Sequence, residues 1–174
     1  FPAPNILPRE AGDKAEAKML TAIVPVILDQ NDFEKTYSDV WNYKLKSGTG
    51  VYGVFWDKTK LNGLGDISIR KVDLLNLFWE PGIEDIQNSR NLFQVALMDN
   101  DLLEQEYPQL AGKLGGETGE VSRYIYDDNV DTTGKSSVVD WYYKRRGADG
   151  RTVLHYCKYV GAEVIYATEN DPEL

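Results

Sequence analysis

The sequence contains a single cysteine, Cys157, and a single histidine, His155, among its 174 residues. One cysteine excludes an internal disulfide, which fits a reducing compartment or one in which redox state plays no part. One histidine makes Ser-His-Asp and Cys-His catalytic arrangements unconvincing, because the same ring would have to serve all of them. His155 and Cys157 lie two residues apart and share one face of a predicted strand. Two ligands do not make a zinc site, so we interpret them as packed strand residues.

Long apolar runs and clustered positive charge are also scarce. No stretch approaches the roughly 20 apolar residues of a membrane-spanning helix, and no secretion signal is expected. The formal net charge is −9, and the best basic cluster, at residues 144–146, is small. Tight binding to nucleic-acid phosphates requires clustered Lys and Arg. We therefore do not expect tight DNA binding through this cluster, and we expect no cofactor.

What is present is the composition of a globular protein, with 42% hydrophobic and 11% aromatic residues. The length predicts a single domain over residues 1–174. Within it we distinguish a helical part, residues 1–47, from a β-rich part, residues 48–174. Because the sequence begins with Phe1 rather than methionine, we expect it to be an excerpt of a longer chain.

Two helices are predicted in the first part. Residues 13–30 have helical composition and one apolar face at 3.6-residue spacing, and Pro25 is expected to kink or divide this helix. Asn31 is predicted to cap the second helix, with Glu34 as its capping-box partner. The second helix carries an apolar stripe, and Gly48 suits its C-terminal end.

Four apolar runs rich in β-branched and aromatic residues predict strands in the middle of the chain. The first two, residues 51–56 and 67–72, form an antiparallel hairpin with a long loop that contains Asn62-Gly63. The third, residues 76–79, ends at Glu80-Pro81-Gly82, where a type II turn is expected. The fourth, residues 92–98, continues the predicted sheet.

The last third of the chain predicts further strands. A short helix from residue 101 and a glycine-rich loop at 112–119 come first, with a brief strand at 124–126. Three strand-like runs with tight connections follow and indicate antiparallel pairing: residues 138–144, 153–160 and 163–167. The predicted fold class is α+β, with N-terminal helices packed on a largely antiparallel β-sheet.

Residues 48–53, Gly-Thr-Gly-Val-Tyr-Gly, match the G-x-G-x-x-G pattern. In a dinucleotide-binding fold this motif follows a strand and opens a helix, whereas here the helix precedes it and the strand follows. A protein-kinase glycine loop would need His-Arg-Asp and Asp-Phe-Gly motifs, and the sequence has neither. We favour a structural interpretation, in which the glycines end the helix and allow close backbone packing.

Glu80, Glu84 and Asp85 cluster near an aromatic run, as the acid and base of a glycosidase would. Such chemistry needs two carboxylates at a defined separation across a cleft, and the sequence does not give that separation. Acids that flank a Pro-Gly turn are common, so a structural interpretation is favoured.

Asp127, Asn129 and Asp131 alternate like the first ligands of a calcium-binding loop. The position of the invariant glycine holds Thr132, and the position of the bidentate acid holds Val138. The pattern therefore fails, and we interpret the segment as a solvated acidic loop with no metal.

A set of short segments follows one another in a characteristic order along nearly the whole chain. They are residues 5–10 (NILPRE), 46–51 (KSGTGV), 56–57 (WD), 65–67 (GDI), 72–81 (VDLLNLFWEP), 85–90 (DIQNSR), 107–108 (YP), 139–144 (VDWYYK), 155–161 (HYCKYVG) and 168–172 (TENDP). In this order the chain resembles the portal proteins of tailed bacteriophages.

The resemblance implies a structural role without active-site chemistry, and so no enzyme. Portal proteins form a ring, usually of twelve subunits, at one capsid vertex, and double-stranded DNA passes through it. The implied partners are further copies of the chain, the terminase large subunit, and capsid and head–tail connector proteins, with no membrane. The implied location is the virion, and the host cytoplasm during assembly. The channel-lining stem helices are absent here, so the resemblance implies the outer, wing-like region.

Asp73, Trp79, Pro81 and Gly82 are the residues that we expect to be architectural, as the strand end and turn that direct the chain out of the sheet. Two other classes of function remain open from the sequence. One is a carbohydrate-binding or carbohydrate-active domain that uses the aromatic and acidic surface of Trp56, Trp79 and Glu80. The other is a general protein-interaction module.

Overall fold

The computed structural model describes residues 4–114, 132–147 and 150–171. The chain divides into two compact units, Phe1–Leu74 (the first unit) and Leu75–Leu174 (the second unit). They are described in turn, and the expectation of a single domain stays a prediction.

The first unit begins with two helices, α1 (Lys14–Gln30) and α2 (Phe33–Ser47). Pro25 lies inside α1, and the helix is not divided there. Proline removes one backbone hydrogen bond, but the helix continues beyond it to Gln30. Gly48 ends α2 with φ +82 and donates its backbone N–H to the Lys44 carbonyl at 2.9 Å. The predicted C-terminal stop is confirmed.

The predicted cap of α2 is wrong. Asp32, not Asn31, stands at the N-cap, with φ +45, and its side chain makes no capping hydrogen bond. The Asn31 side chain instead bonds to the backbone of the hairpin that follows α2. It cannot also cap the helix, because these contacts occupy the amide.

The hairpin of the first unit is confirmed. Strand β1 (Val51–Asp57) pairs antiparallel with β2 (Asp66–Val72), in a register that joins the first residue of β1 to the last of β2. Asn62 and Gly63 in the connecting loop have φ of +59 and +93, the left-handed conformation expected of this pair. Helix α2 packs on β2.

The second unit is built on a five-stranded antiparallel sheet whose strands lie in the order β3-β4-β5-β6-β7. The strands are β3 (Leu77–Trp79), β4 (Asn91–Asp99), β5 (Lys135–Arg146), β6 (Thr152–Val160) and β7 (Glu163–Ala167). The four runs in the middle of the chain therefore do not form one sheet among the described residues. The first two pair only with each other, and the third and fourth belong to the larger sheet.

Helix α3 (Asn100–Glu106) and the short 3-10 helix Pro108–Leu110 cover part of one face of this sheet. Leu103 and Leu110 are fully buried and pack with Val138 and Val160 from the sheet. The predicted fold class, α+β with largely antiparallel sheet, is confirmed. The predicted strand at 124–126 and most of the glycine-rich loop lie outside the described residues.

None of the helices in the described part of the chain is both long and apolar enough to cross a membrane.

Candidate functional site

The three glycines of the G-x-G-x-x-G pattern have structural roles at the end of α2, between α2 and the hairpin, and within the hairpin. Gly48 is the left-handed end of the helix. At Gly50, just before β1, a Cβ atom would lie 2.7 Å from the Val40 backbone oxygen. The backbone here lies so close to α2 that only glycine fits without a shift. At Gly53 a Cβ would lie 2.1 Å from the Phe55 ring, which folds across the glycine. The structural interpretation of the motif is confirmed.

Asn31 joins the helices to the edge of the hairpin. Its Nδ2 donates to the carbonyls of Ile27, in α1, and Ile67, in β2, at 2.8 and 3.2 Å. Its Oδ1 accepts from the Ile69 backbone N–H at 3.1 Å and from Lys60 Nζ at 3.0 Å. The side-chain amide thus takes the place of a neighbouring strand at the outer edge of β2. Sequence reasoning missed this role because the bonds join residues 36 and 38 positions apart.

We expect Asn31→Ala to lower the free energy of unfolding of the first unit by about 1–3 kcal/mol, because it leaves partly buried polar groups of β2 without their partner. Urea denaturation followed by tryptophan fluorescence measures the effect. Asn42→Ala, at an exposed position of α2, is the matched control and should change the stability little. Equal effects of the two substitutions would contradict the role that we assign to Asn31.

The predicted architectural residues separate into two places. Asp73 follows β2 in the first unit, and its Oδ1 accepts the Tyr43 hydroxyl of α2 at 3.2 Å. The negative charge of Asp73 raises the pKa of Tyr43. Trp79, Pro81 and Gly82 belong to the second unit, where Trp79 pairs with Leu92 at the end of β3. Their architectural role stays a prediction.

Glu80 closes the loop between β3 and β4. Its Oε2 accepts the Arg90 backbone N–H at 3.1 Å, and its Oε1 accepts Asn91 Nδ2 at 3.0 Å. These two hydrogen bonds, with the charges of Arg90 and Lys144, hold the pKa of Glu80 below its usual value. Ser89 is buried in the same loop, accepts the Glu80 backbone N–H and donates to the Asn91 carbonyl.

This environment suits a fixed anion rather than a catalytic acid. A general acid needs a raised pKa, whereas that of Glu80 is lowered. Asp85 is engaged in its own turn, where it accepts the Gln87 backbone N–H at 2.9 Å. The geometry thus assigns both carboxylates to loop structure.

Gly82 has φ +80, the value of the third position of a type II turn. We expect Gly82→Val to lower the free energy of unfolding of the second unit by about 1–3 kcal/mol, because a β-branched residue is strained at positive φ. Nothing lies within 4 Å of a Cβ built there, so the cost is conformational and not steric. Thermal melting against Gly12→Val, whose φ is not positive, tests it. An unchanged melting temperature would show that the turn is not of this type.

The residues weighed as metal ligands have other partners. His155 stacks on Tyr143 with ring centroids 5.3 Å apart, and its Nδ1 lies 3.3 Å from Thr168 Oγ1. Cys157 is buried, and burial raises the pKa of its thiol. The part of the chain that the structure describes holds no group of three or more His, Cys, Asp or Glu side chains that could bind a metal.

Most residues of the calcium-loop pattern lie outside the described part of the chain. Asp127, Asn129 and Asp131 are not among the described residues. Val138, at the position of the bidentate acid, is buried in the core of the second unit.

An aromatic row crosses the large sheet and was not predicted. Phe93 in β4 stacks on Trp141 in β5 at 5.7 Å, and Trp141 stacks on Tyr143 at 4.2 Å. His155 extends the row into β6. The alternation of Trp141 and Tyr143 in the sequence is the signal that could have placed them on one face. The partner strands follow only from the register.

The basic cluster is tied to its own surroundings. Lys144 Nζ donates to the Gln87 carbonyl, and Arg145 forms an ion pair with Glu169 at 2.7 Å. Arg146 Nε donates to the Gly150 carbonyl at 3.2 Å. The expectation that the cluster is not a tight phosphate site stays a prediction.

Comparison with known families gives one match that covers nearly the whole chain. The family model described as phage P22-like portal protein matches residues 2–170. The comparison with curated proteins gives no match.

Proposed function

Because the chain belongs to the phage P22-like portal protein family, a structural class of protein, we propose that it forms the wing-like part of a subunit in a ring at one vertex of the capsid. In this proposal, about twelve subunits surround a conduit for double-stranded DNA during packaging and ejection. The family match over residues 2–170 carries the proposal.

The same ring is proposed to serve as a platform for other proteins. The terminase large subunit docks on it while DNA is packaged, and head–tail connector proteins dock on it later. Assembly with the capsid takes place in the host cytoplasm, and the finished ring remains in the virion.

The charge of the chain supports passage of DNA rather than its retention. Tight non-specific binding to a duplex depends on many Lys and Arg contacts with phosphates. The chain carries a net charge of −9, and Lys144, Arg145 and Arg146 are engaged with neighbouring groups. The wing-like part of the ring therefore offers phosphates few strong contacts.

Electron microscopy of the full gene product tests the proposal. We expect closed rings with a central channel, and a symmetry average close to twelvefold. Mass spectrometry of purified virions should find the same product at a low copy number relative to the major capsid protein. A gene product that stays monomeric and is missing from virions would overturn the proposal.

A further inference from the structure

Exposed apolar side chains are concentrated in the first unit. Of the twenty-one large apolar side chains that are exposed among the described residues, thirteen belong to the first unit, which is the shorter one. Single exposed apolar residues need no explanation, whereas exposed apolar residues that adjoin one another on one face mark a contact surface.

Part of this surface is one face of the hairpin. Val54 and Trp56 alternate along β1 and are 68% and 61% exposed. Their cross-strand partners on the same face, Ile69 and Ile67, are half-buried. These four residues, Val54, Trp56, Ile67 and Ile69, are called the hairpin patch below.

Trp56 is held in place although it is exposed. A Cβ at Gly65 would lie 2.6 Å from Trp56 Nε1, so the indole rests on the Gly65 backbone. Gly65 has φ +82, a conformation that favours glycine. A side chain fixed before binding loses little further conformational entropy when a partner covers it, and tryptophan is among the residue types enriched in the hot spots of interfaces.

A second exposed stripe lies on α1. Met19, Ile23 and Val26 are all exposed and are spaced four and three residues apart, which places them on one face of the helix. They are called the α1 stripe below. A head-to-tail contact, the kind that closes a ring, joins two different patches of identical subunits, and the first unit carries two.

The charge distribution indicates through which unit two copies of the chain can make contact. Residues 1–74 contain ten Lys and Arg and ten Asp and Glu, so the first unit is formally neutral. Residues 75–174 contain nine Lys and Arg and eighteen Asp and Glu, so the whole net charge of −9 lies in the second unit. Two second-unit surfaces brought into contact would repel each other, whereas a contact between two first-unit surfaces joins segments without net charge.

We infer that the hairpin patch of one copy docks on the α1 stripe of a neighbouring copy, which makes the first unit a subunit contact of the ring. The inference rests on the proposed function, which supplies the neighbouring copy. It names the two surfaces and the residues at their centres, Trp56 and Ile23.

The test uses sedimentation equilibrium of the full 174-residue chain up to millimolar concentration. The wild type should associate reversibly. V54S/W56S should weaken the association about tenfold or more, as expected when the centre of an interface is truncated. The matched control L154S/V164S removes two similarly exposed strand residues of the second unit and should leave the association unchanged. A monomeric wild type, or equal losses in both variants, would overturn the inference.

A mixing experiment tests the head-to-tail arrangement. M19S/I23S should also weaken self-association. An equimolar mixture of V54S/W56S with M19S/I23S should form heterodimers with near wild-type affinity, because one intact hairpin patch then faces one intact α1 stripe. Failure of the mixture to dimerise would overturn the pairing. Circular dichroism verifies folding, and V54R, at the more exposed position, replaces V54S/W56S if loss of Trp56 unfolds the hairpin.

Electron microscopy of the full gene product separates this inference from the function on which it rests. If the wild type forms rings and V54S/W56S forms them equally well, the proposed function stands and the docking inference fails. If the wild type forms no rings, the proposed function fails, and association of the 174-residue chain is then judged by the mixing experiment alone.

Discussion

Gly50→Ala is expected to lower the free energy of unfolding of the first unit by about 2–3 kcal/mol, the cost of overpacking a close contact. The new Cβ would lie 2.7 Å from the Val40 backbone oxygen and 2.8 Å from Val40 Cγ1. The Val40 side chain is itself buried, and a carbonyl oxygen within α2 cannot turn away. Either the helix or β1 has to move, and the contact between them loosens.

Two other glycines separate this steric cost from conformational strain. Gly12→Ala, with open space around its Cβ and no positive φ, should have almost no effect. Gly48→Ala also meets nothing within 4 Å but requires φ +82, so it should cost about 1–2 kcal/mol. Urea denaturation measures the stability of all three variants, and hydrogen exchange of the backbone amides in α2 and β1 shows where the structure loosens. A Gly50→Ala variant as stable as Gly12→Ala would mean that α2 and β1 are farther apart than described.

The parts of the fold that the sequence predicted correctly are those fixed by neighbouring residues. The hairpin follows from two alternating runs and Asn62-Gly63, and Gly48 ends α2 because only glycine accepts that φ without strain. The division of strands between two sheets could not be predicted. An alternating run has the same pattern whichever strand it pairs with, so nothing in residues 67–79 shows that pairing stops after β2 and begins again with β3.

The polar groups show the same limit. Asn31 has the residue type of a helix cap, but its side chain bonds to Ile67 and Ile69, which only the folded hairpin brings near. Glu80 stood out as a carboxylate beside aromatic residues. Its role depends on the Arg90 backbone N–H and the Asn91 amide, which reach it only when the loop between β3 and β4 closes. Residue types identify the groups, and tertiary contacts decide their chemistry.

In the second unit, Leu103→Ala is expected to lower the free energy of unfolding by about 3 kcal/mol, within the range found when a buried leucine is truncated. Leu103 is 0% exposed and packs against Leu110, Val138 and Val160. It joins α3 to the sheet strands β5 and β6, which are distant from it in the sequence. A smaller side chain would leave a cavity between α3 and the sheet, because the surrounding backbone relaxes only partly.

Leu102→Ala is the matched control, because it makes the same chemical change one residue earlier in the same helix. Leu102 is 51% exposed, so its truncation should cost less than about 1 kcal/mol. Helix propensity changes equally in both variants, and the difference between them in urea denaturation therefore reports burial alone. If the two variants are equally stable, α3 does not form the core of the second unit. If amide exchange shows that only Leu103→Ala loosens β5 and β6, the core joins the helix to the sheet as described.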